Sequence, residues 1–237
     1  MIIYAGDIHA KVKYIELIDK AAIKLGVNWI VQVGDFGIIW SGLTGECAVR
    51  DYFEQRKEGP TWITCGGNHE NWSAINMLKQ EQNCPDLIQI APGCFFANRP
   101  ATIEIEGIKH SFLGGAESTD FIWRTEGVSW WKEETPSPEE FNAFFEQIEE
   151  NKPEVIVTHD APKSVDIWRI DRDRSTTPNT LDRIFKLSSH KAARHVFGHH
   201  HLIEHWKVDS TDFFCCGLHG DYWLWNGEAM VKFPCSE

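Results

Sequence analysis

Five stretches of the sequence place Asp, Asn or His directly after an apolar run: "GDIH" (6–9), "GDFG" (34–37), "GNHE" (67–70), "THD" (158–160) and "GHHH" (198–201). Carboxylate and amide oxygens combined with neutral imidazole nitrogens, and no thiolate, suit Mn²⁺, Fe or Zn²⁺. The set is large enough for two ions that share a carboxylate. Two ions about 3.5–4 Å apart clamp the oxygens of a phosphoryl group and generate hydroxide near neutral pH. The pattern therefore predicts a site able to hydrolyse a phosphate ester.

The apolar runs before these stretches indicate buried strands, and the segments after the first three indicate helices. Apolar residues recur at helical spacing from Val12 to Leu25 and stop at Gly26, a residue typical of helix ends. Residues 47–57 and 70–80 also have helical patterns. Alternating strands and helices predict a parallel sheet. Because the carboxyl ends of such strands line the functional crevice, we expect the five stretches to meet at one rim.

The remaining segments predict a mixed α and β fold. Short, closely spaced strands between Ile88 and Gly115 favour antiparallel pairing, as do the strands near the carboxyl end, which turn at Asn226-Gly227. Residues 116–136 are polar and rich in tryptophan, without a clear period, which is typical of a long functional loop. A helix is expected to follow, with a capping box formed by Ser137 and Glu140. We expect residues 1–237 to form a single domain.

Composition excludes several classes of protein. The net charge is −12, with 35 acidic and 23 basic residues, so a long nucleic acid is an unfavourable partner. No apolar run approaches the roughly 20 residues that span a bilayer, and the amino-terminal residues lack a secretory pattern. The seven cysteines have no CxxC spacing and fit a reducing compartment better than a disulfide framework. We therefore expect a cytoplasmic protein with no membrane association.

Taken in order, the five stretches resemble the calcineurin-like metallophosphoesterase family. The family pattern is D-x-H, then GD, then GNH-[DE], then a lone His, then GH-x-H, and here it extends from Gly6 to His201. A single such string is weak evidence, whereas all five in order are specific. The resemblance implies mixed parallel and antiparallel sheets that form a β-sandwich flanked by helices, in four layers.

The resemblance also implies roles for individual residues. One ion would be held by Asp7, His9 and His201, and the other by Asn68, His159 and His199, with Asp35 bridging both. Mn²⁺ is the first expectation for both ions, with Fe or Zn²⁺ as alternatives. His69 matches the family histidine that faces the phosphate and is not a ligand, and His200 would be a spacer. A metal-bridging hydroxide would displace the leaving group, and His69 would protonate the leaving oxygen or stabilise developing charge.

The chain departs from the protein Ser/Thr phosphatases of that family. Their second motif continues as GD-x-x-D-R-G, whereas Ile38 and Ile39 stand at the Asp and Arg positions here. The chain therefore lacks the aspartate that orients the catalytic histidine and the arginine that binds phosphate. Glu70 and Asp160 are candidates for orienting His69, with a surface position as the alternative for each.

A replacement phosphate clamp within residues 114–131 is one hypothesis. Arg124 has a planar fork suited to phosphate oxygens, although pairing with Asp120 or Glu126 at the surface is equally compatible with the sequence. Arg99 is the next candidate. A nucleobase could stack on tryptophans of the same loop, for which core packing is the alternative: Trp123, Trp130 and Trp131.

Three functions follow from these observations. The leading one is hydrolysis of a small phosphomonoester, phosphodiester or nucleotide. A metal-dependent nuclease is the second, disfavoured by charge and by the lack of a basic groove. A non-catalytic scaffold on the same fold is the third, and it would be expected to have lost ligands, whereas every ligand position is filled here.

Overall fold

The computed structural model describes residues 1–40, 44–83, 86–167, 175–218 and 220–233, with the backbone alone for 44–47. The first part alternates strands and helices in this order: β1 (Ile2–Ala5), α1 (Val12–Leu25), β2 (Trp29–Gln32), α2 (Thr44–Gln55), β3 (Thr61–Thr64), α3 (Trp72–Gln82), β4 (Leu87–Ala91) and β5 (Cys94–Ala97). The second part contains β6 (Ala101–Ile105), β7 (Ile108–Leu113), α4 (Pro138–Asn151), β8 (Val155–Thr158), α5 (Thr176–Leu187), β9 (Arg194–Phe197), β10 (Glu204–Val208), β11 (Thr211–Cys215), β12 (Tyr222–Trp225) and β13 (Met230–Phe233).

The strands form two sheets. The first has the order β13-β12-β1-β2-β3-β5-β4, and the second has the order β10-β11-β9-β8-β7-β6. In the first sheet β1, β2, β3 and β5 are parallel, and in the second sheet β7, β8, β9 and β11 are parallel. Antiparallel strands complete both edges of each sheet. The carboxyl ends of β1, β2, β3, β8 and β9 can therefore supply residues to one rim.

Helices cover the outer face of each sheet, and the two inner faces pack together. Both faces of strand β1 are buried, and its sequence is therefore a continuous apolar run. Ile3 packs in the cluster formed with α1, α2 and α3, whereas Ile2 and Tyr4 pack in the cluster between the sheets. On the far side, Ile156 of β8 packs with residues of α4 and α5. The four-layer sandwich implied by the family resemblance is thus confirmed.

Most of the predicted elements are confirmed, and the pairing of some strands is different from the prediction. Helix α1 ends at Gly26, which has φ 68° and donates its N–H to the carbonyls of Ala22 and Ile23. The β4–β5 and β6–β7 pairs are antiparallel as predicted, but β5 and β7 also pair in parallel with β3 and β8. Likewise β11 lies parallel to β9. These pairings join segments distant in sequence, so no local pattern indicates them.

The loop at 116–136 contains two short 3₁₀ turns, Phe121–Trp123 and Lys132–Glu134. The final hairpin turns at the predicted place, through the four residues 226–229. The four cysteines with described side chains are buried free thiols: Cys65, Cys94, Cys215 and Cys216. Among the helices in the described ranges, none combines the length and apolarity that crossing a membrane requires.

The start of α4 provides a test of the capping box. The hydroxyl of Ser137 accepts the N–H of Glu140, and the Glu140 carboxylate accepts the N–H of Ser137. We expect Ser137→Ala to lower the free energy of unfolding by about 0.5–2 kcal/mol, because it leaves an N–H without its acceptor. Ser175 is a matched control, since it is the N-cap of α5 but its side chain makes no capping hydrogen bond. Chemical denaturation showing equal losses for Ser137→Ala and Ser175→Ala would contradict the expectation.

Candidate active site

The ends of five parallel strands lie side by side at one rim, as the sequence predicts. Backbone hydrogen bonds connect their loops: Asp7 donates to Gly34, His9 donates to Asp35, and Gly198 donates to His159. The last of these bonds connects two strands of the second sheet, and the first two connect strands of the first. The side chains that follow the strands therefore face each other across the seam between the sheets.

One group of side chains gathers around the carboxylate of Asp7. The ligand atoms of Asp7, His9, Asp35 and His201 all lie within 4.8 Å of one another. The Nε2 atoms of His9 and His201 are 3.3 Å apart, and His201 Nε2 is 3.5 Å from Asp7 Oδ1. His9 Nε2 is 3.7 Å from Asp35 Oδ2. We call these four residues the first cluster.

A second cluster gathers around the amide oxygen of Asn68. Asn68 Oδ1 is 3.2 Å from His159 Nε2 and 3.0 Å from His199 Nδ1. His159 Nε2 is also 3.3 Å from Asp35 Oδ1. The two oxygens of Asp35 thus face different clusters, one towards His9 and the other towards His159. All seven residues predicted as ligands lie in these two clusters.

Burial of two carboxylates makes the site electrostatically unbalanced. Burial raises the pKa of Asp7 well above its usual value, and the nearby Asp35 adds to this effect. Burial acts on Asp35 in the same direction, but His159 outweighs it and holds the pKa of Asp35 well below its usual range. Burial disfavours the charged form of His159, yet Asp35 and Asp7 raise the pKa of that histidine to about 10. Without another cation, a proton on His159 supplies the positive charge.

The donor atoms fit divalent ions. Asp7 Oδ2 is buried and has no hydrogen-bond partner among the described residues. Burial lowers the pKa of His9 and His201, and it lowers that of His199 to about 3, so these rings are neutral and offer lone pairs. His159 Nδ1 lies 2.7 Å from the carbonyl oxygen of Val33, an arrangement that typically leaves the other ring nitrogen free for a metal.

The backbone at the rim adopts positive φ values, a conformation that residues other than glycine rarely adopt. Five of the predicted ligands have positive φ: Asp7 (49°), His9 (48°), Asp35 (56°), His199 (66°) and His201 (56°). Such strain concentrates at functional sites. Gly67 is required for a different reason, because a Cβ there would lie 2.3 Å from Asp35 Oδ1 and 2.5 Å from His159 Nε2.

Glu70 supports the loops that carry these predicted ligands. Its carboxylate accepts the backbone N–H of Phe36 at 2.8 Å and that of Gly67 at 2.5 Å, and so joins the second and third motifs. Burial raises the pKa of Glu70 to about 7, with a further contribution from Asp35. Glu70 therefore holds backbone rather than the His69 ring. The other candidate, Asp160, pairs with His200 at 3.0 Å, which places the predicted spacer His200 outside both clusters.

The ring of His69 lies beside the first cluster and contacts Arg124. Its Nε2 is 3.0 Å from Arg124 Nη2, and that nitrogen is also 2.9 Å from Asp120 Oδ1. The His69 ring lies 5.1 Å from that of His9 and 5.3 Å from that of Trp40, measured between centroids. Burial lowers the pKa of His69, Asp35 opposes this, and the Arg124 cation adds to the lowering. Arg124 thus makes both of the contacts considered for it: it reaches the rim at His69, and it pairs with Asp120.

The support for Asn68 was not indicated by any sequence pattern. The Asn68 side-chain amide donates to Ser118 Oγ at 3.1 Å, and the Ser118 hydroxyl donates to Glu134 at 2.8 Å. Glu134 also accepts the N–H of Ser118 at 2.6 Å and is buried. This chain of hydrogen bonds fixes the orientation of the Asn68 amide, with its oxygen towards His159 and His199. It depends on pairs 16 and 50 residues apart, which single-sequence patterns do not indicate.

The other residues considered for substrate binding, two tryptophans of the loop and Arg99, differ in exposure. Trp131 is buried and packs on Trp40, 5.4 Å between ring centroids, so core packing accounts for it. Trp123 is 84% exposed. Arg99 is buried, stacks on Trp72 at 3.7 Å and pairs with Glu140 at 3.2 Å. These contacts hold the Arg99 guanidinium between α3 and α4.

Comparison with known protein families agrees with this geometry. Residues 1–202 match the calcineurin-like phosphoesterase family, and the chain belongs to that family. The matched range extends through all seven predicted ligands. No curated protein matched the chain.

Solved structures share the fold at low sequence identity. TT1561 of Thermus thermophilus is 12% identical, with 98% of this chain and 97% of that chain covered and a TM-score of 0.63. GAP50, described as the anchor in the inner membrane complex of Plasmodium, is 13% identical, with 91% and 70% covered and a TM-score of 0.56. A novel archaeal phosphodiesterase is 13% identical, with 98% and 99% covered and a TM-score of 0.50.

Proposed function

We propose that the protein is a dinuclear metal-dependent phosphoesterase that hydrolyses a small phosphate ester. The observation that carries the proposal is the position of Asp35, whose two carboxylate oxygens face different clusters of ligand atoms. A carboxylate in that position suits a bridge between two ions. In this proposal residues 1–237 act as one domain, and residues 116–136 form a loop at the rim of its active site.

The first cluster would hold one ion and the second cluster the other, with Asp35 shared. Mn²⁺ is the proposed metal, because oxygen and imidazole donors without thiolate suit it. When bound, such ions neutralise phosphoryl oxygens and lower the pKa of water. The chain's own contribution is to hold the seven ligands on fixed backbone and to present His69 and Arg124 to the substrate.

Arg124 and His69 would act together on the phosphate ester. A guanidinium only donates hydrogen bonds, so the contact with Arg124 assigns an acceptor role to His69 Nε2 and a neutral ring. Arg124 Nη1 is buried and has no partner among the described residues. A bound phosphate would draw the guanidinium towards its oxygens. His69 Nε2 would then be free to carry a proton to the leaving oxygen.

The rim favours a compact substrate over a long polyanion or a phosphoprotein. The net charge of −12 repels long polyanions. Ile38 and Ile39 replace the Asp and Arg of protein phosphatases, and both are buried. The exposed Trp123 ring, next to Arg124 in the chain, offers a flat face for an aromatic or nucleoside group. The fold relative described as a phosphodiesterase makes a diester a reasonable member of the assay panel.

The metal proposal is tested by changing the shared ligand. Mn²⁺-reconstituted protein should contain two ions per chain, and Asp35→Asn should bind fewer ions and lose activity, because each carboxylate oxygen faces one cluster. Elemental analysis and a panel of phosphomonoesters, diesters and dinucleotides provide the measurements. The matched control is Asp166→Asn, at an exposed position. Binding of one ion or none by the unmodified protein, with a fully active Asp35→Asn variant, would rule the proposal out.

A second prediction separates His69 from the ligands. His69→Ala should retain its metal while kcat falls by about 10²–10⁴-fold, because a general acid is lost. The fall should be smaller for an aryl phosphate, since its leaving oxygen needs little protonation. His201→Ala, by comparison, should lose metal together with activity. If His69→Ala loses metal in proportion to its activity, His69 is a ligand.

A third prediction concerns Arg124. Because its guanidinium reaches the rim, Arg124→Ala should raise KM or lower kcat/KM for small phosphate esters at unchanged metal content. Lys132→Ala, which removes an exposed cation of the same loop, should leave both constants unchanged. Steady-state kinetics on metal-loaded protein distinguish the two variants. Identical kinetics for Arg124→Ala and the unmodified enzyme, or efficient cleavage of duplex DNA, would contradict this assignment.

A further inference from the structure

A cleft lies between the sheets away from the rim, where β12 and β13 face β9 and β11. Its volume is about 560 Å³, within the range of small-molecule sites. Its walls include Arg194, Phe214, Trp223, Trp225 and Met230. Arg194 is the first residue of β9, whereas the ligands His199 and His201 follow the last residue of that strand. A strand of this length separates the two places by roughly 15 Å.

Arg194 has unmet hydrogen-bonding capacity in this cleft. The residue is only 7% exposed, and its Nε and Nη1 atoms are buried without a hydrogen-bond partner among the described residues. A guanidinium carries a positive charge and donates hydrogen bonds without accepting any. Buried charged donors that lack acceptors are unfavourable, so an acceptor in the cleft gains their hydrogen bonds once the side chains that cover them move aside.

The surroundings hold the guanidinium in place. Its Cζ lies 3.7 Å from the ring centroid of Trp225, which is a stacking distance. Trp223 is itself fixed, because its Nε1–H donates to the carbonyl of Cys215 at 2.9 Å and its ring packs on Phe214 at 5.1 Å. The cleft therefore combines a fixed cation with rigid, flat apolar walls.

The acidic residues nearby do not supply the missing acceptor. Asp212 lines the cleft, but its two oxygens bind His205 Nε2 and Lys207 Nζ, each at 2.9 Å. Glu154 and Glu228 also line the cleft, and both are exposed to solvent. Charges at a solvated rim are screened, although they disfavour a ligand with many negative charges. These features favour a small ligand with a single anionic group.

We propose that this cleft binds a small organic oxyanion, with its carboxylate or phosphate group on Arg194 and a flat apolar body against Trp223 and Trp225. The proposal requires neither the metal clusters nor the phosphoesterase activity. A carboxylate and a phosphate present the same acceptor oxygens to a guanidinium, so the experiment includes both.

Titration calorimetry on the metal-free 237-residue chain tests the proposal with benzoate, phenylphosphonate and the neutral isostere benzamide. At least one anion should bind with a stoichiometry of one, and benzamide should bind more weakly. Arg194→Met keeps the apolar stem and removes the donors, so affinity should fall by about 10- to 100-fold. Arg183→Met, an exposed arginine of α5, is the matched control and should leave binding unchanged.

Indole resonances of unmodified, ¹⁵N-tryptophan-labelled protein locate the bound anion independently of any variant's folding. The signals of Trp223 and Trp225 should shift, and those of Trp40 beside His69 should not. No binding of either anion at concentrations up to about 10 mM would overturn the proposal. Binding that persists in Arg194→Met, or that shifts Trp40 instead, would also overturn it. The tighter of the two anions identifies the preferred headgroup.

Discussion

The structure of the rim depends on the electrostatic requirement of two buried carboxylates. Asp7 and Asp35 are almost completely buried, and ionised groups in such places need a positive charge close by. The carboxylates of Asp35 and Asp7 raise the pKa of His159 to about 10, so its ring holds a proton beside them, and burial raises the pKa of Asp7. A divalent cation would replace these protons. The neutral rings of His9, His199 and His201 are consistent with that exchange, because they offer lone pairs and no competing charge.

Bringing the ligands together has a conformational cost that the rest of the fold must offset. Five predicted ligands adopt the left-handed region, at about 1–2 kcal/mol each, which sums to a value comparable with the whole stability of a domain. Buried polar side chains hold the loops in that conformation. Glu70 accepts three backbone N–H groups, and Gln32 bonds both the N–H and the carbonyl of Gly34. Residues at and just after the strand ends therefore supply the hydrogen bonds that hold the loops in this conformation.

Features that repeat locally in the sequence were predictable, and features that depend on distant pairs were not. Helix α1, the capping box of α4 and the strands before each ligand follow from periodicity and short motifs. The parallel pairing of β9 with β11 does not, because it depends on which neighbours a strand finds after folding. In the site, the predicted ligands occur within short motifs, whereas the Ser118–Glu134 support for Asn68 comes from a separate loop. The positive φ values of the predicted ligands are only weakly indicated by residue type, because Asp and His adopt that region more often than other non-glycine residues but still only in a small minority of cases.

The two ends of β9 both carry buried charged groups that lack partners, but the missing partner is a cation at one end and a hydrogen-bond acceptor at the other. At the carboxyl end, the buried carboxylates and neutral imidazoles have too few positive charges beside them, so this end of the strand lacks cations. At the amino end, Arg194 is buried with two nitrogens that lack a partner among the described residues, so the deficit is of acceptors. Arg99, which is also buried, is by contrast balanced inside the fold, because it pairs with Glu140 and stacks on Trp72. A buried charge that is left unbalanced, in a fold that balances comparable ones, indicates a place where the counter-charge comes from outside the chain.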